Sequence, residues 1–243
     1  MSKPFISVII PTFNNARTLP LALIDADHHL SRMEVPTEII IVDDHSTDAT
    51  AEIARRFRML LGNIRLMVAP QSRGIGAGVR EGMLAAEGRW RVVIPPTNAV
   101  SVVEFHKAFP YLERGADIAI GSRALMRSRV RPALRIHERL FRIVHNFLMQ
   151  AILVPGVRDT ESGWCCVSAR AAEQIFKATR VDSAGWTGEM LALARTLGYH
   201  EHEFPVFFAN ERRGFSYAHY IESLLDALRV RWMLFRETYQ IIK

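Results

Sequence analysis

Cysteine is nearly absent: the chain has two in 243 residues, adjacent at Cys165 and Cys166. Neighbouring thiols cannot staple distant segments, so a disulfide framework is excluded, and no Cys-x-x-Cys or clustered Cys/His spacing offers a zinc site. Both read as core residues. No apolar run reaches the roughly 18 residues that a membrane-spanning helix needs. The N-terminal MSKPFISVII lacks the long apolar core and small-residue cleavage site of a signal peptide. No Gly/Ser linker, low-complexity tract or internal repeat divides the sequence, and its length suits one large α/β domain. Acidic residues are in deficit, 25 Asp and Glu against 31 Lys and Arg, for a formal charge of +6. Anionic partners are therefore favoured: phosphate, nucleotide or an anionic membrane. A nucleic-acid partner is not expected, because the basic residues are spread through turns rather than interleaved with stacking aromatics. The expected location is cytoplasmic, with a peripheral contact at a membrane surface left open, and the sequence sets no oligomeric state.

What is present alternates between strand and helix. Phe5 to Ile10 and Thr37 to Val42 are continuous apolar runs, each followed by a polar turn and a helix-compatible stretch. Those helices are expected from Ala16 to Leu30 and from a cap at Ser46 or Thr47 to Leu61. The pattern predicts parallel strands with crossover helices. Asn63 to Val68, Trp90 to Ile94 and Ala116 to Ile120 continue the strand series, with a helix over Val102 to Glu113, and Glu203 to Phe208 is a late strand. Further helices are expected over Ala169 to Ala178, from Trp186 towards Leu197, and over Tyr220 to Tyr239. Between Leu134 and Ile152 a helical period puts Leu140, Phe141, Val144, Phe147, Leu148 and Ala151 on one face and Arg135, Arg139, Arg142 and Asn146 on another. Packing of the apolar face on the sheet is the expectation, and an interfacial helix at anionic lipid the alternative.

Several residues fall at the carboxyl ends of these strands, where open α/β sheets bind ligands. Asp43-Asp44 ends one strand and Gly121-Ser122-Arg123 another. Asp44 could hydrogen-bond a ribose or base, and Arg123 could hold phosphate oxygens in a bidentate way. As alternatives, the aspartates cap a turn and Arg123 is a surface ion pair. The stretch from Gln71 to Arg80, QSRGIGAGVR, is a glycine-rich turn opening a helix. Its N–H groups could meet an anion flanked by Arg73 and Arg80, or the glycines make only a tight connection. Pro95-Pro96 stops a strand and presents Thr97 and Asn98 at its carboxyl end. The turn Arg158-Asp159-Thr160-Glu161 holds a general base or caps the next helix, and Glu211-Arg212-Arg213-Gly214-Phe215-Ser216 closes over phosphates or is a solvated loop.

Together, SVIIPTFNN at 7 to 15, EIIIVDDHSTDAT at 38 to 50, RGIGAGVREGMLAAEG at 73 to 88, DIAIGSRAL at 117 to 125, RDTESGWCCVSARAAEQIF at 158 to 176 and LGYHEHEFPV at 197 to 206 resemble family 2 glycosyltransferases, in the same order. The resemblance is to the polyprenyl-phosphate branch and covers about residues 5 to 216. It implies a GT-A fold, a Rossmann-like, mostly parallel mixed sheet flanked by helices. Residues 1–125 would form the nucleotide-sugar half, 126–216 the acceptor-side half and 217–243 a C-terminal helix. It implies that Pro11, Thr12 and Asp44 contact the nucleoside, that Arg80 and Arg123 face phosphates, and that Asp159 lies near the acceptor. Asp43, Arg73 and Thr97 are grouped with the nucleotide side, and Arg212, Arg213 and Ser216 with phosphate or acceptor.

The departures concern the metal and the base. Where that family has an Asp-x-Asp turn, this chain has Pro95-Pro96-Thr97, and where it has Phe-Asp-x-Glu, Trp186-Thr187-Gly188-Glu189 keeps only the glutamate. Magnesium is normally held by carboxylates and substrate phosphates, so a divalent metal is doubtful and no cofactor is expected. Arginines at 73, 80, 123, 212 and 213 would then neutralise the diphosphate of a UDP- or GDP-linked sugar. A phosphate acceptor needs no strong base; Asp159 or Glu189 would orient it during an inverting displacement, or act as base for a hydroxyl acceptor. The competing expectations are an inactive binding protein on this fold and a fold recruited to other chemistry.

Overall fold

The computed structural model describes residues 3–209 and 216–239. Among the described residues, five of the nine strands and four of the eight α-helices precede residue 126, and the elements run as follows. β1 (Ile6–Thr12), α1 (Leu19–Leu30), β2 (Thr37–Asp43), α2 (Thr50–Leu60), β3 (Ile64–Val68), α3 (Ile75–Ala85) and β4 (Trp90–Val93) form the first part. A single 3-10 turn (Val102–Glu104) leads into α4 (Phe105–Glu113) and β5 (Ile118–Ser122), then β6 (Arg129–Arg131) and α5 (Ile136–Ile152). The remainder is β7 (Cys165–Ser168), α6 (Ala169–Ala178), α7 (Trp186–Thr196), β8 (Glu201–Pro205), β9 (Phe207–Ala209) and α8 (Tyr217–Phe235).

Seven strands make one sheet in the order β3-β2-β1-β4-β7-β5-β8. All neighbours are parallel except β7, which runs antiparallel between β4 and β5. Residues from beyond 126 thus complete the sheet begun by the first part. A small parallel pair, β6 with β9, lies apart from it. The period of two along a strand sends alternate residues to opposite faces and so builds two cores. Ile6, Val8 and Ile10 meet Leu19, Leu23 and Ala26 of α1 and Phe105 and Ala108 of α4 on one side. Ile9 faces Val79 and Met83 of α3 and Ile175 of α6 on the other.

The expected strands and helices are present, with informative shifts. α1 starts at Leu19 rather than Ala16, because the N–H groups of Thr18 and Leu19 turn back to the Asn15 carbonyl at 3.0 and 2.9 Å. α2 starts at Thr50 rather than at a Ser46 or Thr47 cap. Ser46 bonds to Asp43 instead, and Thr47 donates to Asn14 Oδ1 at 2.9 Å from its N–H, sewing the two turns together. The late strand divides into β8 and β9, and β7 was not expected: four residues are too few for a period to declare itself. Its cysteines are core residues, and burial pushes the Cys165 thiol up to about 12.

The largest departure is α5. The apolar face expected to pack on the sheet is the solvent face, with Leu140, Val144 and Phe147 all exposed, whereas His145, Asn146 and Met149 are buried.

Candidate active site

Two cavities open near the carboxyl edge of the sheet. The first, about 180 Å³, lies between the end of β1, the end of β2 and the start of α3. Pro11, Thr12, Phe13, Asn15, Val42, Asp44, Ile75, Gly78 and Pro96 line it. Three residues expected at the nucleoside, Pro11, Thr12 and Asp44, therefore share one slot. Its walls are largely apolar, with Asp44 the charged side chain among them. The Asp44 carboxylate accepts from the N–H groups of Arg73 and Gly74, each at 2.8 Å, and from Ser72 Oγ at 2.7 Å. It pins the glycine-rich turn against the cavity. Asp43 does not line the cavity: fully buried, it accepts from Ser46 N at 3.1 Å and Thr12 Oγ1 at 3.3 Å and holds the turn behind Asp44.

The glycine-rich turn is not an anion cradle. The N–H groups of Gly76 and Ala77 at the start of α3 donate to the Asp182 carbonyl at 2.8 and 3.3 Å. A Cβ on Gly76 would come within 2.6 Å of the Val181 carbonyl oxygen, and Gly74 sits at φ 115°, so these glycines serve close backbone approach. Arg73 and Arg80 likewise do not point to a phosphate. Arg73 pairs with Asp182 at 3.0 Å and Glu81 at 3.2 Å, and Arg80 pairs with Asp182 as well. Burial works to raise the Asp182 pKa, but the bonds from Arg80 and Arg73 hold it below the ordinary carboxylate value.

Thr97 is also displaced from its expected place. It lines a separate, shallow hollow with Leu21, Ile24, Asp25, His28 and Asn98, while Pro96 reaches the first cavity. Thr97 and Asn98 offer neutral oxygens only, which does not fit the carboxylate set that holds a divalent ion in such folds. Among the described residues no group of three or more His, Cys, Asp or Glu is placed to hold a metal.

The second cavity, about 480 Å³, lies beyond β5 and against α5. Arg123, Arg139, Arg142, Ser128 and Asn146 supply its polar wall, and Leu125, Met126, Val130, Leu134 and Ile143 its apolar one. Arg123 is set rigidly. Its backbone N–H and Nε both donate to Asp159 Oδ2 at 2.7 Å, and Nη2 donates to Oδ1 at 2.7 Å. The bidentate edge expected for a substrate phosphate is thus taken by Asp159, and both Asp159 oxygens accept hydrogen bonds from Arg123. Burial opposes both charges, yet each holds the other ionised: the Arg123 pKa lies above its usual value and that of Asp159 below. Arg142 is the opposite case. Burial, and then the repulsion from Arg123, depress its pKa against the attraction of Asp159. Asn146 Oδ1 and both ring nitrogens of His145 are buried without a hydrogen-bond partner among the described residues.

Glu189 reaches neither cavity. It is fully buried and accepts from the N–H groups of Arg180 and Val181, each at 2.9 Å, and from Tyr239 Oη at 2.6 Å. It secures the loop before α7. Burial raises its pKa. Ser216 caps α8, accepting from His219 N at 3.3 Å; Arg212 and Arg213 lie outside the described residues. The sequence reading passed over Arg139, Arg142 and Asn146 as a polar helix face. Their spacing of three and four residues, which sets them on one helix face, was the available signal.

Among the described residues no helix is long and apolar enough to cross a membrane. In comparison with known proteins, the chain is 28% identical over 207 residues to the dolichyl-phosphate beta-glucosyltransferase of Dictyostelium discoideum and 27% identical over 210 residues to that of Mus musculus. In both cases 79% of this chain aligns with 63% of the relative, so the chain spans under two thirds of their length. The fold is similar to that of Mycobacterium tuberculosis glucosyl-3-phosphoglycerate synthase in complex with UDP, with TM-score 0.67 and 16% identity over 94% of this chain and 80% of that one. It is also similar to S. aureus TarS in complex with UDP-GlcNAc, with TM-score 0.60 and 13% identity over 94% and 66% of the two chains. The parallel sheet, the slot beside β1 and β2 and the ordered motifs agree with a family model, Glycosyl transferase family 2, that matches residues 7–176. The chain belongs to glycosyl transferase family 2.

Proposed function

We propose that this chain transfers a sugar, with inversion, from a nucleotide diphosphate sugar of the UDP type to a polyprenyl phosphate, without the usual carboxylate-bound metal. The observation that carries the reading is the arginine cavity beyond β5. Arg123, Arg139 and Arg142 line it together, burial and the neighbouring Arg123 depress the Arg142 pKa, and an anion in the cavity would offset that repulsion. The apolar half of the same cavity suits the first isoprene units that follow a lipid phosphate. The named activity of the relatives, dolichyl-phosphate beta-glucosyltransferase, supports the same acceptor class.

In this reading the base stacks in the slot of Pro11, Thr12 and Pro96, with Asp44 beside the nucleoside. The acceptor phosphate enters against Arg123, Arg139 and Arg142, with Asp159 acting through Arg123 as a positioning residue. One phosphate oxygen forms a bond to the anomeric carbon while the bond from that carbon to the diphosphate breaks on the opposite face. The electron pair leaves with the nucleoside diphosphate. No proton has to be removed from the nucleophile, because a polyprenyl phosphate, a phosphate monoester, is already anionic and becomes a diester only on transfer; a fully engaged Asp159 and a buried Glu189 are compatible with that.

The neutral turn from Pro95 to Asn98 favours a second reading, a binding protein without turnover. Calorimetry of UDP, GDP and their sugar conjugates, with Mn²⁺ and again with EDTA, separates the two when followed by nucleotide release on addition of a polyprenyl phosphate. Metal-independent binding followed by release supports transfer. Binding with no release across acceptors supports the second reading, and no nucleotide binding overturns both.

A further inference from the structure

We propose that the outer face of α5 and α8 docks on an anionic bilayer surface, which brings the arginine cavity to headgroup level. Both helices expose an apolar row in addition to the apolar residues they bury, Met149 on α5 and Ala227, Val230 and Met233 on α8. On α5 the exposed residues at spacings of three and four are Ile136, Leu140, Ile143, Val144 and Phe147, with relative exposures from 49% to 88%. On α8 they are Ile221, Leu225, Leu228, Trp232 and Phe235, from 52% to 83%. The inward faces meanwhile carry His145 and Asn146 on one helix and Ser223 and Asp226 on the other. The two helices pack together, with the Phe141 ring 5.0 Å from that of Tyr217 and the His145 ring 4.9 Å from that of Tyr220. Two apolar rows on adjoining helices form a surface that water does not favour, larger than scattered exposed residues would make.

The charge around these rows identifies the occupant. Between residues 126 and 152 there are six arginines, at 127, 129, 131, 135, 139 and 142, against one acidic residue, Glu138. On α8, Arg229 and Arg231 are exposed beside the apolar row, and Arg236 follows its end. A helix face of this composition lies in a lipid interface, apolar side chains among the acyl chains and arginines at anionic headgroups. A second copy of the chain is a poorer fit, since it would bring two arginine-rich rims together. The inference deepens the lipid-phosphate reading and rests on it for its purpose, but its test does not use the acceptor.

The test is co-sedimentation of the whole chain with phosphatidylcholine vesicles, with and without about 30% phosphatidylglycerol and with no polyprenyl phosphate, the lipid effect per arginine being on the order of that for juxtamembrane basic residues. Binding to the anionic vesicles is expected, at least tenfold weaker to the neutral ones, and lost in Leu140→Glu and in Trp232→Glu. Both variants change exposed side chains, and circular dichroism with nucleotide binding confirms that they fold. Absence of vesicle binding by the unaltered chain, or binding that both variants retain, overturns the proposal, as does a concentration-dependent dimer that Leu140→Glu and Trp232→Glu dissolve. Vesicle binding without sugar transfer would leave the docking face standing and sink the acceptor reading alone.

Discussion

At the scale of single residues, the second cavity depends on Asp159. Its carboxylate satisfies three donors of one arginine, and the pair has almost no access to solvent. Asp159→Asn leaves a buried guanidinium uncompensated, so we expect a loss of about 3 to 5 kcal/mol in urea unfolding. Arg142→Ala removes a charge that already repels its neighbour, and should leave stability nearly unchanged while raising the acceptor KM. A loss of one charge-assisted bond of about 1.5 to 3 kcal/mol corresponds to roughly 10- to 150-fold. The contrast between these two variants separates positioning from binding. His219 provides a pH test. The hydrogen bond from its ring to Glu161, 2.9 Å long, raises its pKa against the opposing effect of burial. A raised folded pKa adds stability that is complete below the unfolded value of about 6.5 and is lost as the pH climbs through the folded value. Urea midpoints of the parent should therefore fall over that interval, and His219→Gln should flatten the slope.

At the scale of elements, the glycine-rich turn and α5 show where a local pattern has two physical solutions. Glycines opening a helix read equally as an anion site and as a close approach. Only the position of Val181 to Ser183, more than a hundred residues away in sequence, makes the second correct here. Gly76→Ala forces a methyl group against backbone and is expected to cost about 1 to 3 kcal/mol, measurable as a lower urea midpoint with nucleotide affinity retained at low denaturant. For α5 the period was legible and its direction was not. A helical moment says that two faces differ, not which one meets protein, and the buried face proved to be the one with Asn146. Leu140→Lys should accordingly change stability by no more than about 0.5 kcal/mol, whereas packing on the sheet would have made the same change severe.

At the scale of the whole molecule, the sheet was readable because its first strands are long, apolar and punctuated by polar turns. The strand of Cys165 to Ser168 was not, since four residues carry no period, and yet it joins the two parts of the sheet. The convergence of Pro11, Thr12 and Asp44 on one slot was likewise legible: they end neighbouring strands in register, with Pro11 opposite Val42 and Thr12 opposite Asp43. The charged groups were harder. An arginine in a turn does not declare its partner, and Arg73 and Arg80 find Asp182 while Arg123 finds Asp159, each through long-range packing. What emerges is a slot at the ends of β1 and β2 with a neutral turn beside it, and a second cavity walled by Arg123, Arg139 and Arg142.

The most direct measurement is transfer of radiolabelled glucose from UDP-glucose, in EDTA, to a short polyprenyl phosphate and to the matching polyprenol. The account predicts a glycosylated product from the phosphate, none from the alcohol, and a raised acceptor KM in Arg142→Ala. Equal transfer to the alcohol, or an acceptor KM unmoved by Arg142→Ala, would contradict it.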